Sequence, residues 1–152
     1  MSSNLFLQIQ EDMKSAMRAR STELLGTIRL LLAAIKQREV DQRIVLDDSQ
    51  IIAIIDKMIK QRLDSIEQYQ KGNRQDLADK EIAEMAILKK YLPQTLTETE
   101  VSDLIKEAIT TTQATSIKEM VKVMAHIKTK AQGRADIGKI SATVKNILEK
   151  QI

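Results

Sequence analysis

The sequence predicts an all-α protein of two helical domains, a four-helix N-terminal domain over 1–93 and a small three-helix tail over 94–152. Three observations carry that reading. Apolar residues recur at three- and four-residue spacing through almost the whole chain, the period of a helix buried on one face. One proline and four glycines in 152 residues leave too few tight turns for a β-architecture. Aromatic residues make up 2%, so the core is aliphatic, built from Leu, Ile, Val, Ala and seven Met.

The first helix runs from about Asn4 to Ala19, with Leu5, Ile9, Met13 and Ala16/Met17 on one face. The second runs from Thr22 to Arg38 or beyond, carried by Leu24, Leu25, Ile28, Leu31, Leu32 and Ile35, with Ser21 as its N-cap. Gly26 inside it points to a close helix contact, because glycine there otherwise only costs stability. A non-periodic stretch, VDQRIVLDDSQ, follows. The third helix starts at Asp48 or Ser49 and reaches Lys71, with Gly72 as its stop. Its wide apolar face holds Ile51, Ile52, Ile55, Met58, Ile59, Leu63 and Ile66. Asn73-x-x-Asp76 resembles a capping arrangement opening a fourth helix with Leu77, Ile82, Met85 and Leu88 inward.

Pro93 ends that helix and sets the domain boundary, since the residue before a proline avoids helical geometry. Thr97-x-x-Glu100 is a capping box for a fifth helix through Val101, Leu104, Ile105, Ala108 and Ile109. Ser116-x-x-Glu119 is a second one, for a sixth helix through Ile117, Met120, Val121, Met124 and Ile127. The seventh runs from about Asp136 to Lys150 through Ile140, Val144, Ile147 and Leu148.

Composition narrows the function classes. Without cysteine, no disulfide, thiol nucleophile or cysteine-based zinc site exists. The only histidine, His126, falls on the stripe Lys118, Lys122, His126, Lys130, which reads as an exposed basic face opposite the apolar one. No HExxH, Walker loop or GxGxxG occurs, no catalytic constellation is found, and neither metal nor cofactor is expected. The opening MSSNLFLQIQEDMK lacks a secretory pattern, and the longest apolar run, LLLAAI, is too short for a bilayer. The expectation is a soluble cytoplasmic protein with no membrane partner.

Charge is placed unevenly. The net charge is +3, yet between 118 and 145 seven cations stand against Glu119 and Asp136, a local +5 that leaves the rest at −2. Amines about one helical turn, ~6 Å, apart match successive phosphates of a nucleic-acid strand. The candidate nucleic-acid-binding residues are therefore Lys118, Lys122, Lys130, Arg134, Lys139 and Lys145. No aromatic residue lies among them, so contact would be to backbone and shape, not by stacking on bases. The plain alternative is a solvated helix face. In AQGRADIGKI, Gly133 ends the sixth helix and Asp136 caps the seventh, occupying the place an anion would take. Gly138 gives another backbone room to come close, and Arg134 is the residue whose identity a hinge does not require.

The blocks EDMKSAMRAR, IRLLLAAIKQREVDQRIVLDD, IDKMIKQRLDSIEQYQKGNRQDLADKE, YLPQTLTE and GRADIGKISATVK resemble the YqeY family of GatB/YqeY domain proteins, in order and across almost the whole chain. The resemblance implies an all-helical fold with two domains joined near the YLP segment. It also implies kinship with the C-terminal tail region of GatB, a subunit of the glutamine-dependent amidotransferase that corrects misacylated tRNA. In that subunit the tail region contacts tRNA, and the chemistry sits in a separate domain that nothing here resembles. The implied partners are tRNA or other structured RNA, and amidotransferase or aminoacyl-tRNA machinery. Carbon–nitrogen ligase activity with glutamine as amido donor is implied by kinship only. Where the family usually has glycine this chain has Val121, and where it often has proline, Thr129. Two other readings are a subunit acting only within an amidotransferase complex and a protein-interaction module.

Overall fold

The computed structural model describes residues 3–150. They form seven α-helices and one 3-10 turn, and no strand occurs among them. The helices are α1 (Asn4–Arg18), α2 (Thr22–Gln42), α3 (Asp48–Lys71), α4 (Gln75–Lys89), α5 (Glu98–Thr112), α6 (Met120–Ala131) and α7 (Ile137–Glu149), with the 3-10 turn at Ile117–Glu119. The chain divides into two compact units, Met1–Leu92 and Pro93–Ile152.

In the first unit α3 packs along α4, α1 along α2, and α2 also meets α4. The core is the inward stripe of each helix: Ile9, Ile28, Leu31, Ile35, Ile51, Ile55 and Leu88 are essentially inaccessible. Each such side chain contributes about 1.5–3 kcal/mol of transfer free energy. Two long-range hydrogen bonds fix the register. Leu5 N–H donates to Asp48 Oδ1 at 3.1 Å, and the Tyr91 hydroxyl donates to Asp12 Oδ2 at 2.6 Å. Burial, and after it the Asp12 carboxylate, push the Tyr91 hydroxyl well above the usual phenol range, so it remains a donor. Arg62 Nε donates to Glu84 Oε2 at 3.0 Å, joining α3 to α4.

The second unit is smaller and equally aliphatic. Ala108 of α5, Val123, Ile127 and Ala131 of α6, and Val144 and Leu148 of α7 are fully buried together. The capping box at Thr97 and Glu100 forms, with Glu100 N–H donating to Thr97 Oγ1 at 3.1 Å.

Several helix ends differ from the sequence expectation. Ser21 makes no side-chain cap. Its N–H instead donates to Ala16 O at 3.0 Å, closing α1 with Arg20 left-handed at φ 55°. Asn73 does not cap α4 either: it is the left-handed residue that closes α3 (φ 57°), with Arg74 N–H on Tyr69 O at 2.8 Å, while Gly72 has φ −89°. Arg43 and Gln113 close α2 and α5 in the same conformation. This six-to-one bond returns an orphan carbonyl to use and needs a positive φ, which these non-glycine residues supply at some strain. Gly26 is not a close helix contact: a Cβ there would meet nothing within 4 Å.

The second capping box is displaced. Ser116 makes no side-chain cap, and Glu119 Oε1 accepts from Thr115 Oγ1 at 3.2 Å and from Thr115 N–H at 3.4 Å. The sixth helix therefore starts at Met120, after a 3-10 turn with three residues per turn. Within α6 the buried stripe runs through Val123, Met124, Ile127 and Ala131. Val123 goes inside, and Val121, expected inward, is 81% exposed. Leu63 and Ile82 are exposed as well.

Candidate nucleic-acid interface

The six candidate cations do not form one surface. Lys118 in the 3-10 turn and Lys122 on α6 are exposed, and neither has a carboxylate within 4 Å among the described residues. Lys128 shares those properties, two turns along α6 from the exposed Val121. The Val121 side chain stands in solvent, so it disturbs no helix contact.

Lys130 faces the other way. Its Nζ donates to Glu107 Oε1 of α5 at 2.6 Å, 23 residues away in sequence. The hydrogen bond and charge of Lys130 hold the Glu107 carboxyl below the ordinary carboxylate range, with His126 adding a smaller pull. His126 is not the exposed histidine of the sequence reading. Its side chain is 22% exposed, and Nε2 lies 3.7 Å from the same Glu107 oxygen. That nitrogen is buried and has no hydrogen-bond partner among the described residues. The stripe is broken because α5 packs on α6 and covers one edge of it.

Arg134 is committed to architecture. Its Nε donates to Gln94 O at 2.9 Å, and its carbonyl accepts from Leu96 N–H at 2.8 Å. Both bonds hold the segment leading into α5 against the hinge between α6 and α7. With Lys130 it lines a recess that also carries Glu100, Asp103 and Glu107, so its surroundings are of mixed charge. The hinge is a β-turn: Gln132 has φ −61°, ψ 127°, Gly133 has φ 76°, and Arg134 N–H donates to Ala131 O at 2.9 Å. These are type II values, and the positive φ at the third position is why glycine stands there. Gly133 thus serves a turn just past the end of α6.

Asp136 caps α7 as expected, accepting from Lys139 N–H at 3.3 Å. A carboxylate already fills the anion position at this helix start. The space over Gly138 admits that cap, with Asp136 Oδ1 3.2 Å from where a Cβ would lie, and not another backbone. Lys139 is exposed on the rim of an apolar groove of about 530 Å3 between α5 and α7, lined by Leu96, Val101, Ile105, Ile140 and Ile147. Lys145 is exposed further along α7, six residues from Lys139 and so on a different face. Among the described residues, no group of three His, Asp or Glu is placed to hold a metal, and no helix is long and apolar enough to cross a membrane.

The family profile described as "Yqey-like protein" matches residues 7–148. The "Altered inheritance of mitochondria protein 41, mitochondrial" of Lachancea thermotolerans is 34% identical over 143 residues, 90% of this chain and 76% of that protein. The protein of the same name from Pyrenophora tritici-repentis is 31% identical over 84% of this chain and 71% of its own length. That from Vanderwaltozyma polyspora is 40% identical over 59% and 49%. These names overturn the cytoplasmic expectation, since all three relatives are named as mitochondrial proteins. The physical reason is plain: targeting to that organelle uses an amphipathic, Arg-rich segment, which a search for a secretory apolar run does not address. A cysteine-free composition does not distinguish one reducing compartment from another. With the profile spanning nearly the whole described fold and relatives above 30% identity covering most of it, the chain belongs to the YqeY-like family.

Proposed function

We propose that this YqeY-like protein is a non-catalytic RNA-binding module that grips the phosphate backbone of tRNA, or of another structured RNA, with the exposed lysines of the 3-10 turn and α6. The observation that supports the reading is the set Lys118, Lys122 and Lys128. All three are exposed, and none is paired with a carboxylate among the described residues. Lys130 and Arg134 stand outside this set, one bound to Glu107 and the other to the Gln94 carbonyl. The resemblance to the GatB tail region supports this reading and makes tRNA the first ligand to test.

Binding by three lysines has a defined salt signature. Releasing about three counterions gives a slope of roughly −2 to −3 in log affinity against log salt, or a loss of roughly 20- to 40-fold between 50 and 200 mM. The test is a titration of the protein against bulk tRNA and against duplex DNA at those two salt concentrations. The triple variant Lys118→Gln/Lys122→Gln/Lys128→Gln is run alongside. Preference for tRNA, and a flattened slope in the variant, are the expected results. Unchanged binding by the triple variant removes the proposal.

A further inference from the structure

The N-terminal unit contains two half-buried arginines on neighbouring helices, and they are treated differently. Arg62 of α3 is 12% exposed and fully engaged, by Glu84, by Glu81 at 3.9 Å and by the Met58 carbonyl at 3.1 Å. Arg38 of α2 is also half-buried, yet its guanidinium has no hydrogen-bond partner and no carboxylate within 4 Å among the described residues. Its stem is partly covered while its nitrogens reach water, so the guanidinium is free to take a ligand.

Arg38 lines a cleft of about 540 Å3 between α2 and α3. Lys57 of α3, exposed and likewise unpaired, lines it too, as does Gln61 one turn further along. Buried Ile54 and Met58 supply apolar lining. Asp41 is the one acid there, and its Oδ1 accepts from Gln37 Nε2 at 2.8 Å. The volume falls in the range of about 300–1,000 Å3 that small-molecule sites occupy.

The chemistry of this lining is specific. A guanidinium fork beside an ammonium suits a phosphoryl group, with one net positive charge left after Asp41. The Asp41 carboxylate keeps acceptor capacity beyond the Gln37 bond, which suits a ligand that also carries hydroxyl donors. The Gln61 amide both donates and accepts, and Met58 offers a polarizable apolar surface to a ring. We propose that this cleft between α2 and α3 binds a nucleoside monophosphate, with its phosphate on Arg38 and Lys57, its ribose hydroxyls on Asp41 and its base against Met58 and Ile54. The ligand is either a free nucleotide or the phosphorylated end of an RNA strand. The site lies in a different compact unit from the α6 face and does not rest on RNA binding there.

The test is an amide and guanidinium NMR titration of the full chain with AMP, and separately with a short oligoribonucleotide ending in a 3′-phosphate. Wild type is compared with Arg38→Gln and Lys57→Gln. Expected are shifts at Arg38, Lys57, Met58 and Gln61, with affinity lowered about tenfold or more in each variant, the loss for one charge-assisted hydrogen bond. Saturation by AMP assigns a free nucleotide, and saturation by the oligonucleotide alone assigns an RNA end; either upholds the site. No binding of either probe at millimolar concentration, shifts confined to other residues, or wild-type affinity in both variants overturns it. Lys57 makes no contact in the core, so Lys57→Gln reports on the site even where Arg38→Gln fails to fold.

Discussion

Glu84→Gln is expected to cost the N-terminal unit about 2–3 kcal/mol, whereas Glu67→Gln leaves its stability nearly unchanged, although the two ion pairs have almost the same length. Glu84 meets Arg62 at 3.0 Å with both side chains nearly covered, 13% and 12% exposed. Glu67 meets Lys71 at 2.9 Å with both largely in water, 66% and 74% exposed. At an effective dielectric of about 20, unit charges 3 Å apart attract by about 5 kcal/mol, and in bulk water by little over 1. Removing Glu84 also strands Arg62, and a buried charge without its partner costs about 3–5 kcal/mol. Glu81 at 3.9 Å and the Met58 carbonyl retain part of that interaction, which lowers the figure to 2–3. The assay is urea unfolding followed by helical circular dichroism, with Glu81→Gln, Glu84→Gln and the double variant compared. Coupling requires the double variant to lose more than the sum of the two singles, because each acid partly covers for the other. Equal costs for Glu84→Gln and Glu67→Gln would show that burial does not set the value of these pairs.

The glycines and the acidic limb of the stability curve give further tests. Gly26→Ala fills open space in the middle of α2 and should stabilise by about 0.5–1 kcal/mol, read as a rise in the urea midpoint. Gly133→Ala forces a Cβ into the left-handed conformation of the turn at φ 76° and should destabilise the tail by about 1–2 kcal/mol in the same assay. Glu107, held below its ordinary value of 4.5 chiefly by Lys130, contributes stability above that value and loses it as pH falls through the depressed one. Glu107→Gln should therefore flatten the acid limb of tail stability below about pH 4.5, and an unchanged acid titration would contradict the pairing.

Much of the fold is legible in the sequence because helical period and aliphatic composition are local signals. The starts of α2, α3 and α5 follow from spacing and from Thr97 and Glu100, which cap by reaching three residues along the chain. The ends at Arg20, Arg43 and Gln113 are less legible, since no glycine marks them and the stop is a backbone hydrogen bond. In α6 the buried stripe is Val123, Met124, Ile127 and Ala131, and Val121, about 240° around the wheel from Ile127, falls off it although it is as apolar as its neighbours. The candidate interface was legible as a charge count only. That Lys130 and Arg134 are spoken for depends on Glu107 and Gln94, partners 23 and 40 residues away, and no spacing rule connects them. Lys128, which spacing by fours passes over, is found by its exposure.

Closing helices through backbone geometry has a consequence for how such a chain diverges. At Arg20, Arg43, Asn73 and Gln113 the stop is enforced by a carbonyl and an amide that every residue type but proline possesses. The side chain at each stop is then free to drift, at a conformational penalty of about 1–2 kcal/mol that glycine would avoid. Helix lengths can thus be inherited while the letters marking their ends are rewritten. In a lineage whose members share only about a third of their residues, the connecting turns are where aligned letters say least about shared structure.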